Sequence, residues 1–155
     1  MVDFVGLTAW QFLLVLAVGI FATLFVLRKP KASQYMAMVK MALVLALFDY
    51  AFETWGFLAG FWASAGSVLP LGAVPVEVFG IALCAGATYA MLFPRKFSWN
   101  LGLASSLLIA CGGTFVEALL IGQGNLAYTG GWTSAHAVVA YFLTFLGMNA
   151  VNSQV

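Results

Sequence analysis

The stretch ALFDYAFETWGFLAG, residues 46–60, is apolar except for a few polar side chains, two of which are the carboxylic acids Asp49 and Glu53. Their four-residue spacing places both acids on one face of a helix. An acid at the centre of a membrane-spanning helix costs about 2.5–3.5 kcal/mol on insertion scales. Both side chains are therefore expected to face other helices rather than lipid, and this stretch predicts a helical bundle with a polar interior.

The rest of the chain has the composition of an integral membrane protein. Of its 155 residues only 7% are charged, against about 25% in soluble domains, and the mean hydropathy is +1.05. The length suits one domain covering residues 1–155. The formal net charge of +1 gives no electrostatic basis for nucleic-acid binding.

Five apolar segments are long enough to cross a bilayer, which takes roughly 20 residues. Prolines and the glycine-rich segment GQGNLAYTGG, residues 122–131, separate these segments. The sequence therefore predicts an all-α polytopic membrane protein, a bundle of five transmembrane helices. Their predicted bounds are about 4–27, 38–60, 75–94, 100–121 and 132–151.

The six basic residues indicate the orientation of the bundle. Four flank the first connection and two, Arg95 and Lys96, lie in the third. The positive-inside rule places both connections in the cytoplasm. The chain is thus predicted to be a multi-pass protein of the cell membrane, with its N-terminus outside and its C-terminus in the cytoplasm. The start carries Asp3 and no basic segment, so a cleaved signal peptide is not expected.

The remaining polar residues fall in the predicted outer half of the bundle. The candidate catalytic residues, from four different helices, are Asp49, Glu53, Glu77, Glu117 and His136. Crowded carboxyl groups without a neighbouring cation tend to hold protons, because burial and like charge both disfavour the ionised form. Such a site suits a proton donor, a bound cation or a proton relay.

Structural roles for the same residues stay open. Glu77 at a helix N-terminus would complement the helix dipole, His136 could be an interfacial polar residue, and Glu117 could make an interhelical hydrogen bond. Small residues spaced by four, Gly56 with Gly60 and Ala82 with Gly86, predict close helix packing.

One segment carries a family resemblance. The run FDYAFETWGF…GSVLPLGAVPVEVF resembles the small membrane lycopene cyclases of the heterodimeric or cyclase-domain type and their carotenoid-modifying relatives. The matching positions are Asp49, Gly56, Pro75, Glu77 and Phe79. A second glutamate of the family pattern is Val78 here. The resemblance covers about residues 48–80 and implies a cofactor-free acid that protonates a carbon–carbon double bond of a long isoprenoid.

Three functions are compatible with these patterns. The first is acid-catalysed cyclisation, hydration or isomerisation of a carotenoid or other isoprenoid lipid, with Phe52, Trp55 and Phe79 as substrate-binding residues whose rings stabilise a carbocation. The second is a component of a proton- or cation-coupled transporter. The third is a non-catalytic subunit of a membrane complex. No cofactor is expected, although a divalent metal at the carboxylate and histidine cluster stays open, as does a homo- or hetero-oligomer.

Overall fold

The computed structural model describes residues 7–154, so Asp3 and the start of the first predicted span lie outside the described residues. Five helices make up most of this part of the chain. Their bounds are α1 Ala9–Arg28, α2 Ala32–Leu58, α3 Val76–Leu92, α4 Trp99–Gly122 and α5 Ser134–Asn152. Helix α2 begins at Ala32 rather than near residue 38. At this start the backbone N–H of Lys31 donates to Oε1 of Gln34 at 2.8 Å.

Side-chain caps fix several of these helix ends. The hydroxyl of Thr8 accepts a hydrogen bond from the N–H of Gln11, and Oε1 of Gln11 accepts one from the N–H of Thr8. This reciprocal pair is a capping box at the start of α1. At its other end Lys29 adopts a left-handed conformation, φ 46°, that closes the helix. Ser98 caps α4 by accepting from the N–H of Leu101.

Four of the helices, α1, α2, α4 and α5, are long and apolar enough to cross a membrane. Helix α3 is apolar too, but its 17 residues give it a length of about 25 Å, below the roughly 30 Å of a hydrocarbon core. The helical membrane-protein fold thus agrees with the sequence, whereas a fifth span stays a prediction.

Helix α3 packs mainly on α2 and α1, and α4 packs mainly on α5. A Cβ on Gly86 of α3 would lie 2.4 Å from the backbone oxygen of Met41 in α2, so glycine permits this close approach. The prediction of close packing at Gly86 is confirmed. Gly60 instead ends α2 in a turn at φ +71°, with open space around its Cα, so its predicted packing role is wrong.

Two short antiparallel strand pairs lie between the helices, where the sequence predicted only loops. Strands β1, Trp62–Ser64, and β4, Leu126–Tyr128, pair with Trp62 opposite Tyr128. Strands β2, Pro70–Leu71, and β3, Val74–Pro75, form the second pair. Strand β4 lies inside the glycine-rich segment that was predicted as a loop. Since β1 follows α2 and β4 follows α4, the β1–β4 pair joins the α2–α3 connection to the α4–α5 connection.

The helices run up and down between two distinct ends. At the basic end Arg95 donates from Nη2 to the carbonyl of Ser33 at 2.9 Å, joining the α3–α4 and α1–α2 connections. At the aromatic end, which carries Trp10, Trp62 and Trp132, the indole N–H of Trp10 donates to the carbonyl of Ala65 at 2.8 Å. This alternation agrees with the predicted polytopic topology.

Candidate acid site

A cavity of about 200 Å³ lies near the aromatic end, between α1, α2 and α3 on one side and α4 and α5 on the other. Three of the five predicted site residues line it: Asp49 and Glu53 on α2, and Glu117 on α4. The prediction that Asp49 and Glu53 face other helices is confirmed. A 200 Å³ cavity is close to the roughly 150 Å³ that accommodates benzene in an engineered apolar core.

Glu53 is held by the β1 strand. The indole N–H of Trp62 donates to Oε2 of Glu53 at 2.8 Å. The Trp62 ring packs directly over Gly56, where an added Cβ would lie 1.9 Å from the ring. Gly56 therefore makes room for the tryptophan, and β1 holds it in register with Tyr128.

Glu117 accepts hydrogen bonds from two tyrosines. The hydroxyl of Tyr141 in α5 donates to Oε1 at 2.8 Å, and the hydroxyl of Tyr128 in β4 donates to Oε2. The ring of Tyr141 packs against Gly113, which lies one turn before Glu117 on α4. Burial and the neighbouring Glu117 raise the pKa of Tyr128 above its usual value, so this hydroxyl keeps its proton and remains a donor.

Asp49 differs from the other two acids because part of its carboxyl group is unpartnered. Its Oδ2 atom is buried and has no hydrogen-bond partner, although the side chain lines the cavity. A buried polar atom without a partner costs about 1–3 kcal/mol. Native structures leave few such atoms. Five other described atoms share this state, among them Oγ of Ser106 and Oδ1 of Asn152, so the position of Oδ2 beside the cavity is what distinguishes Asp49.

Aromatic rings enclose the acids at this end. The rings of Trp62 and Trp132 lie 4.9 Å apart between centroids, and Phe52 lies 5.5 Å from Trp62 and 6.1 Å from Trp132. Edge-on and tilted contacts of this kind each contribute about 0.5–1.5 kcal/mol beyond area burial. All three rings also line the cavity, so they present aromatic faces to whatever occupies it.

Glu77 does not line this cavity, and its predicted place in the cluster is wrong. The carboxylate lies at the start of α3, where Oε2 accepts from the hydroxyl of Ser67 at 2.9 Å and Oε1 from the N–H of Val68 at 3.1 Å. The side chain is 3% exposed. It therefore anchors the loop before β2, in addition to its place in the first turn of a helix, where an acid is favourable.

His136 does not line the cavity either, although it lies close by. Its side chain is exposed, and Nδ1 lies 2.8 Å from the hydroxyl oxygen of Thr133. Its ring packs on that of Trp132 at 5.3 Å, and Trp132 itself lines the cavity. The histidine thus contacts a residue of the cavity wall without lining the cavity.

Of the three predicted substrate-binding rings, one lines the cavity and two do not. Phe52 lines the cavity. Trp55 is 51% exposed, and Phe79 packs edge-on against Tyr50 at 6.3 Å. Neither ring lines the cavity, and their role in substrate binding stays a prediction.

The three aromatic residues that donate hydrogen bonds to the acids, Trp62, Tyr128 and Tyr141, were not predicted as site residues. Their shared feature is a polar atom on an aromatic ring, and buried rings of this type usually find a hydrogen-bond partner. Pairing each buried acid with a tyrosine or tryptophan at the same depth would have identified them.

Within residues 7–154, no three histidine, cysteine, aspartate or glutamate side chains are grouped so that they could hold a metal ion. Nor does any lysine or arginine of this described part line the cavity. The acids are thus surrounded by apolar side chains and by neutral donors.

Comparisons with known proteins add no identification. Searches of protein-family profiles, of curated proteins and of solved structures each gave no match. The acid cavity itself is therefore the basis for a functional proposal.

Proposed function

We propose that this protein is a membrane enzyme that modifies an isoprenoid lipid, such as a carotenoid, by protonating a carbon–carbon double bond. The observation that carries the proposal is the unpartnered, buried Oδ2 of Asp49 beside a cavity lined by aromatic rings. Burying an anionic carboxylate without a partner is costly, so Asp49 acts here as the neutral acid.

In the proposed reaction the proton of the Asp49 carboxyl group moves to one alkene carbon. The π electrons form the new C–H bond, and the neighbouring carbon becomes a carbocation while Asp49 becomes a carboxylate. A second double bond of the substrate attacks the cation, which closes a ring and moves the positive charge. Loss of a proton to the Asp49 carboxylate forms the final double bond and restores the acid, so the net reaction is an isomerisation.

The other cavity residues stabilise the cationic intermediate. Faces of Phe52, Trp62 and Trp132 attract a cation through their π electrons. Glu53 and Glu117 stay fixed by their hydrogen bonds to Trp62, Tyr128 and Tyr141. Donors and charges that are already oriented stabilise developing charge without reorganising during the reaction.

The resemblance to membrane lycopene cyclases supports the same reaction type. Asp49 and Gly56 of the shared pattern lie at the cavity or beneath a ring that lines it. Glu77, the other acid of the pattern, is assigned a positioning role, because both of its oxygens bind the 67–68 loop. The proposal includes the cell membrane, an external N-terminus, a cytoplasmic C-terminus and five spans.

A proton or cation relay is the second candidate. The hydroxyl of Ser106 on α4 is fully buried without a hydrogen-bond partner, and it lies eleven residues, or about 16 Å, from Glu117 toward the basic end. A polar route across the bundle would need such groups between the two ends. A non-catalytic subunit has less support, because the acids face an internal cavity instead of the surface a partner would contact.

Conversion of lycopene or a similar acyclic polyene by membranes containing the protein tests the enzyme proposal. New cyclic or isomerised products that depend on Asp49 support it. No conversion, together with proton or cation flux in sealed vesicles that depends on Ser106, contradicts it in favour of the relay.

A further inference from the structure

An apolar groove of about 370 Å³ runs along α3, between α1 and the α4–α5 pair. The residues that line it on three helices include Ala17, Ile20, Cys84, Thr88, Leu92 and Ile109. No charged side chain of the described residues lines it. The groove continues along α3 to Phe93, near the basic end.

The groove and the acid cavity share part of their walls. Ile81, Ala85 and Phe145 line both. Cavity and groove together follow α3 from Val78 to Phe93, which is about 22 Å at the rise of an α-helix. One elongated molecule could therefore occupy both.

The size of the acid cavity requires such a continuation for a long substrate. Its 200 Å³ is smaller than the roughly 300–1,000 Å³ of typical ligand pockets. The cavity holds one ring-sized end group, and the rest of a long chain must lie elsewhere.

Charge disfavours an anionic group inside the cavity. A lipid whose phosphate entered the cavity would place it beside three carboxyl groups, with no basic side chain among the described residues that line it. An uncharged chain brings no such repulsion, and it leaves the buried Oδ2 of Asp49 free to meet an alkene.

We infer that the groove along α3 binds the tail of an uncharged, acyclic polyprenyl chain whose terminal alkene occupies the acid cavity. This inference rests on the proposed function and adds to it the place of the substrate's tail. The chain reaches the acids sideways from the bilayer, between α1 and α4.

A photoreactive chain tests the inference in membranes that contain the whole protein. The probe is an acyclic polyprenyl hydrocarbon with a diazirine at one end and an unmodified isoprene unit at the other. After illumination, peptide mass spectrometry locates the label. We expect residues 84–92 to be labelled about tenfold more than the exposed face around Leu107 and Leu108, a ratio that corresponds to about 1.4 kcal/mol.

Two variants and a competitor sharpen this test. Ala85→Phe fills the shared wall and is expected to lower groove labelling to the level of the exposed face. Ala104→Phe, the same change at an exposed position of α4, leaves it unchanged. Should Ala85→Phe fail to fold, unlabelled polyprenyl hydrocarbon competes for the label in the native protein, whereas added anionic phospholipid does not.

The outcomes separate the groove from the chemistry. Labelling spread evenly over all lipid-facing helices, or displaced equally by phospholipid, overturns the groove even if polyenes are converted. Labelling concentrated in the groove without any conversion supports the groove and contradicts the acid reaction. Asp49→Asn should retain the groove labelling.

Discussion

The two ends of the bundle both bury polar side chains, but the partners of these side chains differ. At the basic end Asn149 donates to the carbonyl of Ser98, and Asn152 donates to the carbonyls of Phe93 and Pro94 while its Oδ1 has no partner. At the aromatic end Glu53 and Glu117 bind side chains on neighbouring elements, and Asp49 keeps one oxygen unpartnered beside a cavity. The asparagines thus join α5 to the α3–α4 connection, whereas the acids surround a space that a ligand can fill.

The surroundings of a buried polar side chain indicate whether it fixes the fold or is available to a ligand. A side chain that donates to backbone carbonyls of a connection fixes that connection, and its loss should lower stability. A side chain at a cavity whose polar atom is unpartnered already has an energetic cost in the folded state. Its loss should lower activity while leaving stability unchanged or higher.

Replacing Asp49 should have the largest effect on conversion. Asp49→Asn keeps the shape of the side chain but removes the acid, and general acid catalysis contributes about 10²–10⁴-fold to a rate. We expect conversion of lycopene or a similar polyene to fall by at least about 10²-fold, with an unchanged or slightly higher melting temperature. A melting temperature several degrees lower with normal conversion would make Asp49 a structural residue like Asn149.

A methyl group at Gly56 should have the next largest effect. Its Cβ would overlap the Trp62 ring, so Gly56→Ala must displace the ring that binds Glu53, at a cost of about 1–3 kcal/mol for overpacking. If about 1.4 kcal/mol of this cost raises the activation free energy, conversion should fall about tenfold.

Gly19→Ala provides the matched control for that change. Gly19 lies in α1 with nothing within 4 Å of an added Cβ. Alanine there should leave conversion unchanged and raise stability by up to about 1 kcal/mol. Equal losses in both variants, measured by conversion and thermal unfolding, would contradict the specific role of the Trp62 contact.

Removing one tyrosine hydroxyl should have a smaller effect. Tyr141→Phe leaves Glu117 with its second donor, Tyr128. A hydrogen bond to a charged group contributes about 1.5–3 kcal/mol, and the remaining donor offsets part of that loss. We expect conversion to fall several-fold, with further loss in the double variant with Tyr128→Phe. A double variant that is as active as either single variant would remove Glu117 from the reaction.

The smallest effect on conversion is expected at the basic end. Asn149→Leu removes one of the two hydrogen bonds that the Ser98 carbonyl accepts, while the one from the N–H of Gly102 remains. A single hydrogen bond contributes about 0.5–1.5 kcal/mol, so the melting temperature should fall by a few degrees. Conversion per folded molecule should stay unchanged, because the acid cavity is lined by other residues. A selective loss of conversion would show that the two ends are coupled and would favour the relay.

The sequence was sufficient for those parts of the structure that depend on local pattern. Apolar length predicted the helices, with errors mainly at their ends, and the four-residue spacing predicted that Asp49 and Glu53 share an inward face. The predicted depth of Glu117 in the membrane matched that of Asp49 and Glu53, and Glu117 lines the same cavity. These features follow from hydrophobic segments and helical periodicity alone.

The predicted depth of a residue in the membrane was not enough to show which polar side chains line the same cavity. Glu77 lies at the predicted level, but the 67–68 loop folds back and binds both of its oxygens. His136 is at a similar level, but its exposed ring packs on Trp132 and does not line the cavity. Both outcomes depend on loop geometry and ring packing, which leave no periodic pattern in the sequence.

The proposal that Asp49 delivers the proton is tested with solvent deuterium. Membranes with the native protein, Asp49→Asn or Asn149→Leu convert an acyclic polyene in D₂O, and mass spectrometry counts deuterium in each product molecule. With the Asp49 carboxyl group exchanging its proton with D₂O before each turnover, we expect one deuterium for each ring formed by the native protein and by Asn149→Leu, and almost no deuterated product from Asp49→Asn. Deuterated product formed by Asp49→Asn at the native rate would contradict the central claim that this carboxyl group is the acid.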